Sequence, residues 1–106
     1  MKALFFLTTS LILTVGLALA AETEHNFKPK AGYVPDEKTA IAIAVAVWSP
    51  IYGEEKIQNE KPFKAVLKDD VWHVEGTLSP EYTRGGVAEA EISKEDARIL
   101  RINHGR

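Results

Sequence analysis

Three glutamates and a histidine are the residues of this chain whose types and spacing could move protons. Glu89 and Glu91 alternate within one run, Glu75 lies in an earlier run, and His73 is two residues before Glu75. Carboxylates beside an imidazole can act as general acid and base. The same alternation is typical of the solvated face of a β-sheet, where polar residues alternate with buried apolar ones.

Basic residues are predicted opposite two of these glutamates, which favours the second interpretation. If Asp69-Asp70 forms a two-residue turn, Lys64 faces Glu75 across the hairpin. A five-residue loop between the last two runs likewise places Arg101 opposite Glu91. Charge pairing on a solvated sheet face therefore explains the acids better than a catalytic cluster does.

The other groups that commonly carry chemistry are poorly placed for it. The chain has no cysteine, and His25, His73 and His104 lack the spacing of metal ligands. Strand alternation places His73 outward and His104 inward, so we do not expect these two rings to meet. The pair Gly85-Gly86 is too short to cradle a phosphate. We therefore predict no catalytic residues, no metal site and no bound cofactor.

One connection between strands carries residue types that anchor protein interfaces. Residues 79–86 are longer than a tight hairpin requires, and they include Tyr82 and Arg84. An ordinary connection whose tyrosine packs back on the domain is the alternative. If the chain binds a protein partner, our candidates for contact are this loop and the acidic strand face: Tyr82, Arg84, Glu75, Glu89 and Glu91.

The elements that must position these residues begin with one helix. In Pro35-Asp36-Glu37 a proline suited to a first helical turn precedes two acids that the helix dipole favours. Apolar residues then recur at helical spacing, and Ala42 and Ala46 are expected to let a sheet approach closely. Pro50 lacks an amide for the helical hydrogen bond, so the helix should kink or stop there, with Gly53 as its terminator.

Beyond Pro62 the apolar period changes from that of a helix to that of a strand. Four runs alternate polar and apolar residues: 63–68, 71–78, 87–93 and 99–104. Their apolar positions define an inner face that packs against the helix: Phe63, Ala65, Leu67, Trp72, Val74, Leu78, Ala88, Ala90, Ile92, Leu100 and Ile102, against Ile41, Ala44, Val45 and Trp48. The predicted fold class is α+β, with one N-terminal amphipathic helix packed on a four-stranded antiparallel meander.

The last hairpin has a predicted register of its own. A loop over residues 94–98 sets Ile92 opposite Leu100 and Ala90 opposite Ile102. Such a loop usually needs one residue at positive φ, and Ala97 is the expected one.

Length and charge limit the classes of function. The 106 residues allow one small core, and without cysteine the packing alone must hold it. The formal net charge is -2, and no basic stripe could neutralise phosphates, so nucleic acid is not an expected partner. A mildly acidic surface suits a basic protein partner.

The first twenty residues have the composition of a secretory leader. Lys2 precedes an almost continuous apolar run from Ala3 to Leu19, and Ala18-Leu19-Ala20 ends it with small residues. Acidic residues follow the run, where a stop-transfer segment would carry basic ones. We therefore expect a periplasmic or secreted protein that has no membrane contact once the leader is cleaved.

These patterns divide the chain into three parts. Residues 1–20 are the predicted cleaved signal peptide. Residues 21–32 have too little apolar content to pack and are predicted to form a flexible arm. Residues 33–106 are predicted to fold as a single domain.

Five blocks of the sequence carry a resemblance to a known family: Gly32-Tyr33-Val34-Pro35-Asp36, the run from Ala46 to Gly53, the run from Val71 to Leu78, Gly85-Gly86-Val87-Ala88 and Ile102-Asn103-His104-Gly105. In this order they resemble the bacterial immunity proteins that have a nuclear-transport-factor-2-like (NTF2-like) fold and are assigned to polymorphic toxin systems. The resemblance covers nearly all of the chain from Gly32 to Arg106.

The resemblance implies both an architecture and a partner. It implies a compact NTF2-like or cystatin-like arrangement, and in a chain this short we expect a filled core rather than a ligand cavity. It also implies that the protein binds a cognate protein toxin and neutralises it by stoichiometric occlusion, and it supplies no catalytic residues.

Two functions from other classes remain as alternatives. One is a general periplasmic protein-binding module or hydrolase inhibitor that has no toxin partner. The other is a small enzyme that uses Glu75, Glu89 or Glu91 with His73, which only the analogy with enzymes of the same fold supports.

Overall fold

The structure, a computed structural model, describes residues 25–81 and 85–105. Its helices and strands are α1 (Glu37–Tyr52), α2 (Glu54–Gln58), β1 (Lys64–Lys68), β2 (Val71–Glu75), β3 (Ala88–Ser93) and β4 (Ile99–His104). The strands form one antiparallel sheet in the order β1-β2-β3-β4, and α1 packs on one face of it. The predicted α+β class, a helix on a four-stranded antiparallel meander, is confirmed. The predicted leader lies outside the described residues.

Helix α1 begins where a capping residue satisfies its first turn. The Asp36 carboxylate accepts hydrogen bonds from the hydroxyl and the amide of Thr39, at 2.6 and 2.8 Å. An aspartate in this position satisfies an amide that has no partner within the helix. The Thr39 hydroxyl, followed by the Thr39 amide, holds the pKa of the Asp36 carboxyl below its usual range.

Helix α1 continues two residues beyond the proline within it. The sequence predicted a kink or a stop at Pro50; Pro50 lies inside the helix, which ends at Tyr52, so the helix does not stop there. The Gly53 amide donates to the Ser49 carbonyl at 2.9 Å with a Gly53 φ of 102°, a backbone conformation that favours glycine. Gly53 as the terminator is confirmed.

Two tryptophans organise the core between α1 and the sheet. Trp48 is fully buried, its indole nitrogen donates to the Glu89 carbonyl at 3.1 Å, and its ring lies 5.9 Å from that of Phe63. The Trp72 indole donates to the Val34 carbonyl at 2.8 Å. Each ring therefore adds a large apolar surface to the core while its one polar atom keeps a partner. The buried apolar residues are Val34, Ala40, Ala44, Trp48, Ile57, Ala65, Trp72, Val74, Ala88, Ala90 and Ile92.

The side of α1 that faces the sheet differs from the predicted one. The buried positions are spaced four apart: Ala40, Ala44 and Trp48. Ala42 and Ala46 are exposed, so the predicted close approach of the sheet at these alanines is wrong, and Ile41 and Val45 are only partly buried. Because the helix is apolar on nearly every side, its apolar pattern does not predict which side faces the sheet. The contact between the Trp48 indole and β3 fixes that rotation.

The hairpin of β1 and β2 has the predicted register. Asp69 and Asp70 form its turn with φ values of 51° and 61°, as a type I′ turn requires. Lys64 pairs with Glu75, and Leu67 pairs with Trp72.

The hairpin of β3 and β4 follows the prediction except at one bulge. Ala97 has a φ of 64°, and Ala90 pairs with Ile102 as expected. Ile92 pairs with Ile99 instead of Leu100, because a register shift follows the pair of Glu91 and Arg101. Leu100 is thus an extra residue in β4 and is 44% exposed, so its predicted place on the inner face is wrong.

Two further leucines predicted for the inner face are exposed, Leu67 at 40% and Leu78 at 39%. Leu67 lies beside the turn on the edge strand β1. Leu78 lies past the end of β2, because the strand ends at Glu75 and not at residue 78 as the sequence pattern predicted. The chain leaves the sheet because the Thr77 amide donates to the Glu60 carbonyl at 2.7 Å, in place of a partner on β3.

The described residues before α1 contact the loop between β3 and β4. The amides of Tyr33 and Val34 donate to the carbonyls of Glu95 and Lys94, at 2.9 and 3.0 Å. Lys28 forms an ion pair with Glu95 at 2.8 Å, and this hydrogen bond raises the pKa of Lys28. The flexibility of residues 21–32 stays a prediction. In residues 25–81 and 85–105, neither helix is both long enough and apolar enough to cross a membrane.

Candidate functional site

The face of the sheet opposite α1 brings the three candidate glutamates together. Pairing across the strands forms two rows, Lys64-Glu75-Glu89 and Val66-His73-Glu91-Arg101. We call these seven residues the outer face. They line a shallow depression of about 260 Å³.

Arg101 is the basic partner of two of the glutamates. Its guanidinium nitrogens lie 3.6 Å from a Glu89 carboxylate oxygen and 3.8 Å from a Glu91 carboxylate oxygen. The Asn103 amide also donates to the same oxygen of Glu89 at 3.0 Å. The predicted pairing of Glu91 with Arg101 is confirmed, and the structure adds Glu89 to it.

His73 lies beside Glu91 on the same face. The His73 Nδ1 is 3.4 Å from a Glu91 carboxylate oxygen, with the two side chains 45% and 28% exposed. The structure thus forms an imidazole–carboxylate contact, but it leaves that contact open to water. Groups that act as acid and base usually have water excluded and their pKa values shifted by burial.

Glu75 has a less favourable environment than the other two glutamates. Lys64 and Glu89 flank it in the register, but among residues 25–81 and 85–105 no basic group lies within 4.0 Å of the Glu75 carboxylate. The register to Lys64 is as predicted, yet the charge pairing expected from it does not form. A like charge directly across a strand pair is destabilising, and Glu75 lies directly opposite Glu89.

The outer face combines charged side chains with some exposed apolar area. Val66 lies between Lys64 and Lys68 on β1 and is 63% exposed. In the part of the chain that the structure describes, no three histidine, aspartate or glutamate side chains are grouped so as to hold a metal ion. Tyr82 and Arg84, the other two candidates, lie outside the described residues.

Sequence reasoning missed a buried contact on the other side of the sheet, between Glu60 and His104. A Glu60 carboxylate oxygen, Oε2, lies 2.9 Å from the Nε2 atom of His104, with the two side chains only 10% and 13% exposed. The other oxygen, Oε1, accepts the Ala88 amide of β3 at 2.7 Å. Glu60 therefore connects the chain after α2 to both β3 and β4, and His104, which was predicted to point inward, is its partner on β4.

A glycine in the sequence is the signal that could have indicated this contact. Gly76 directly follows β2, and a Cβ atom at that position would lie 2.6 Å from the Glu60 Oε1 and 2.8 Å from the Glu60 Cβ. A glycine at a strand end often marks such a close approach. The pattern does not say which residue approaches, so the identity of Glu60 needed the structure.

A groove of about 650 Å³ opens beside this buried pair. Its walls come from α2, from the chain after β2, and from the chain flanking β3 and β4. The lining residues are Glu55, Lys56, Asn59, Glu60, Leu78, Ser79, Gly85, Gly86, His104 and Gly105.

Comparison with known proteins gives one family and two relatives. A family described as "NTF2 fold immunity protein" matches residues 39–106, from the first turn of α1 through the whole sheet. The uncharacterised proteins YhhH and YbbC of Escherichia coli strain K12 are each 34% identical over 73 residues, which is 69% of this chain. The matches cover 58% of YhhH and 60% of YbbC, so the chain spans about three fifths of the length of these relatives. No solved structure gives a significant match.

Proposed function

Because this chain belongs to the NTF2-fold immunity proteins, we propose that it binds a cognate bacterial toxin and neutralises it by stoichiometric occlusion. The observation that carries the proposal is the family match over residues 39–106, which spans the helix and all four strands. Immunity proteins generally act without catalysis, and we extend that to this chain. The water-exposed contact of His73 and Glu91 supports this extension.

The outer face is the proposed contact surface. Glu75 faces Glu89 and has no cation within 4.0 Å in the described chain, so a lysine or arginine of the toxin could bind between them. Opposite charges across an interface speed the encounter and fix its orientation. From the sequence, Tyr82 and Arg84 remain candidates for an anchor at the edge of this contact.

Export is part of the proposal. The leader composition of residues 1–20 supports cleavage after Ala20 and release into the periplasm or the medium. The toxin would then be met in the periplasm or during its own export. Fractionation of cells that carry the full chain should place a product beginning at Ala21 in the periplasmic fraction or the medium. Recovery of the uncleaved chain from the cytoplasm would contradict this part.

The genes adjacent to this one give the first test of the immunity function. We expect a toxin or secretion gene among them, and we expect deletion of this gene to make cells sensitive to sister cells that keep the toxin. A normal co-culture together with no toxin gene in the neighbourhood would contradict the proposal. Capture of a housekeeping hydrolase from periplasm, with inhibition of that enzyme, would instead support the alternative of an inhibitor without a toxin partner.

Charge reversal tests the contact surface. Glu75→Lys should raise the Kd for the toxin about tenfold or more in calorimetry, because it replaces the attraction for a cation with repulsion. The matched control is Glu54→Lys, which makes the same change of charge on exposed α2. A Kd that Glu75→Lys leaves unchanged, or that both variants raise equally, would move the interface elsewhere.

A triple variant separates binding from catalysis. Glu89→Ala, Glu91→Ala and His73→Ala together remove the acid–base groups of the outer face except Glu75. We expect the variant to bind more weakly, yet to inhibit the toxin fully once enough of it is added. A loss of protection at saturating binding would support the enzymatic alternative instead.

A further inference from the structure

The outer edge of strand β1 carries main-chain groups that the sheet does not use. The Gly76 amide donates to the Ala88 carbonyl at 3.0 Å, and the Lys94 amide donates to the Asp70 carbonyl at 2.9 Å. In antiparallel pairing, the residues of a central strand bond alternately to one neighbouring strand and to the other. Even-numbered residues of β2 therefore bond toward β3, and the odd-numbered ones bond toward β1.

The register carries this alternation over to β1. The partners of the odd-numbered residues of β2 are Lys64, Val66 and Lys68, so their amides and carbonyls are used inside the sheet. The amides and carbonyls of Ala65 and Leu67 therefore point away from the sheet. No hydrogen bond within residues 25–81 and 85–105 reaches these four groups.

The side chains and the regular pairing of β1 leave this edge open to a partner. Val66 is 63% exposed and Leu67 is 40% exposed. All five residues of β1 pair with β2 without a bulge, whereas the opposite edge strand, β4, is interrupted at Leu100. A bulge twists an edge strand and disrupts its pairing. Of the two edges, β1 is therefore the one that an added strand fits.

The charges on β1 distinguish between the chains that could pair with it. Lys64 and Lys68 flank Val66, and neither lysine lies within 4.0 Å of a carboxylate in the described chain. An antiparallel pair of two copies that uses the whole strand puts Lys64 of one copy opposite Lys68 of the other. Like charges directly opposite destabilise such a pair, and lysines on an edge strand commonly prevent self-pairing. The lysines instead favour an extended segment that carries acidic residues.

We propose that a segment of the toxin adds to β1 as a fifth strand of the sheet. Acidic residues of that segment, four positions apart, lie opposite Lys64 and Lys68, and an apolar residue lies opposite Val66. The proposal rests on the proposed immunity function and specifies how the toxin binds. Lys64 and Val66 belong to the outer face, so a toxin that covers this face reaches the edge of β1. In strand addition the main-chain hydrogen bonds supply affinity and the side chains supply specificity.

Amide hydrogen exchange, followed by NMR with and without the toxin, tests the pairing directly. The probe is the protein toxin to which deletion of this gene sensitises cells. In the free protein the Leu67 amide should be less protected against exchange than the Val66 amide, which is bonded within the sheet. Binding of the toxin should slow exchange at Leu67 about tenfold or more. Binding that leaves the exchange of Leu67 and Ala65 unchanged would overturn the proposal while the immunity function stands, whereas no binding at all would refute both.

Two substitutions at Leu67 separate the main-chain contact from the side-chain contact. Leu67→Pro removes the outward amide, and the fold should tolerate this because the amide has no partner in the sheet. The matched control Leu67→Val keeps the amide and has a side chain of similar size to proline. In calorimetry Leu67→Pro should raise the Kd for the toxin about tenfold or more, and Leu67→Val should leave it nearly unchanged. Equal Kd values for the two variants would overturn the proposal. If Leu67→Pro does not fold, exchange at Leu67 in the wild-type complex decides.

Neutral variants test the charge of the toxin segment. Lys64→Gln together with Lys68→Gln should raise the Kd about fivefold, because the attraction for carboxylates is lost. The matched control, Lys38→Gln together with Lys56→Gln, makes the same change of charge at exposed positions of α1 and α2. A Kd that the first pair leaves unchanged, or that both pairs raise equally, would contradict an acidic segment. A wild-type dimer in sedimentation that protects the Leu67 amide without toxin would overturn the proposal and assign the edge to a second copy.

Discussion

Replacement of Gly76 by alanine tests the buried contact on which the inner side of the sheet depends. The new Cβ would lie 2.6 Å from the Glu60 Oε1 and 2.8 Å from the Glu60 Cβ, distances that van der Waals contacts do not allow. The φ of Gly76 is not in the left-handed region, so alanine adds no backbone strain of that kind. The cost must therefore come from displacement of Glu60.

The hydrogen bonds of Glu60 indicate how much free energy of unfolding this displacement costs. When the Glu60 side chain moves, the Ala88 amide loses its acceptor, and Ala88 is fully buried. A buried donor left without a partner costs about 1 to 3 kcal/mol. The displaced His104 contact adds to this, so we expect Gly76→Ala to lower the free energy of unfolding by about 2 to 4 kcal/mol. That is a large part of the total stability of a domain of this size.

Urea unfolding followed by the fluorescence of Trp48 and Trp72 measures the effect. The matched experiment repeats Gly76→Ala in a Glu60→Gly background, which lacks both the carboxylate and the Cβ atom that the new methyl group would meet. A double-mutant cycle should then show that most of the cost of Gly76→Ala has disappeared. A Gly76→Ala protein as stable as the wild type, or the same cost in both backgrounds, would refute the reasoning.

Three further predictions test the local chemistry of the fold. Ala97→Gly should leave the Tm unchanged or raise it, because glycine relieves the backbone strain of a φ of 64° and this gain offsets the loss of a partly buried methyl group. A clear drop in Tm would contradict the positive φ assigned to this loop position. Asp36→Ala should lower the Tm at neutral pH. The lowered pKa of Asp36 means that its stabilisation is present above the unfolded value of about 3.9 and is lost as the pH falls through the folded value. The Tm difference between wild type and Asp36→Ala should therefore shrink in acid, and a constant difference would argue against the cap. Trp72→Phe should lower the free energy of unfolding by about 1 to 3 kcal/mol in urea unfolding, because the buried Val34 carbonyl loses its hydrogen-bond donor. An unchanged free energy of unfolding would show that water replaces the indole as the donor.

Local chemistry allowed much of the fold to be predicted from the sequence. The alternation of the strand runs and the turn at Asp69-Asp70 fixed the first hairpin, since a shift of one residue would turn every apolar side chain outward. The loop length of the second hairpin placed Ala97 at positive φ. The glycine after α1 marked its end, because a φ of 102° is costly for other residues.

The predictions failed where distant contacts decide between local alternatives. The rotation of α1 depends on the bond from Trp48 to β3, and a helix that is apolar on most sides cannot reveal it. The bulge that exposes Leu100 depends on how β4 meets β3 after Arg101. The pair of Glu60 and His104 joins residues that are 44 positions apart. No sequence period connects them.

The candidate site shows the same division. Strand alternation predicted that Glu75, Glu89 and Glu91 share one face, and the register of β4 brought Arg101 to it. Strand alternation did not predict that the guanidinium of Arg101 would form ion pairs with both Glu89 and Glu91. It also did not predict that Glu75 would lack an ion pair within the described chain. Those outcomes depend on side-chain reach across strands, which the order of residues does not specify.

Titration of the proposed cognate toxin with this protein tests the central claim most directly. With the toxin's activity as readout, increasing amounts of the purified protein should reduce that activity linearly to zero at one molecule of protein per molecule of toxin. The toxin should be recovered chemically unchanged when the complex is dissociated. Toxin activity that persists at excess protein, or complete inactivation by far less than one equivalent, would contradict an immunity protein that acts by occlusion.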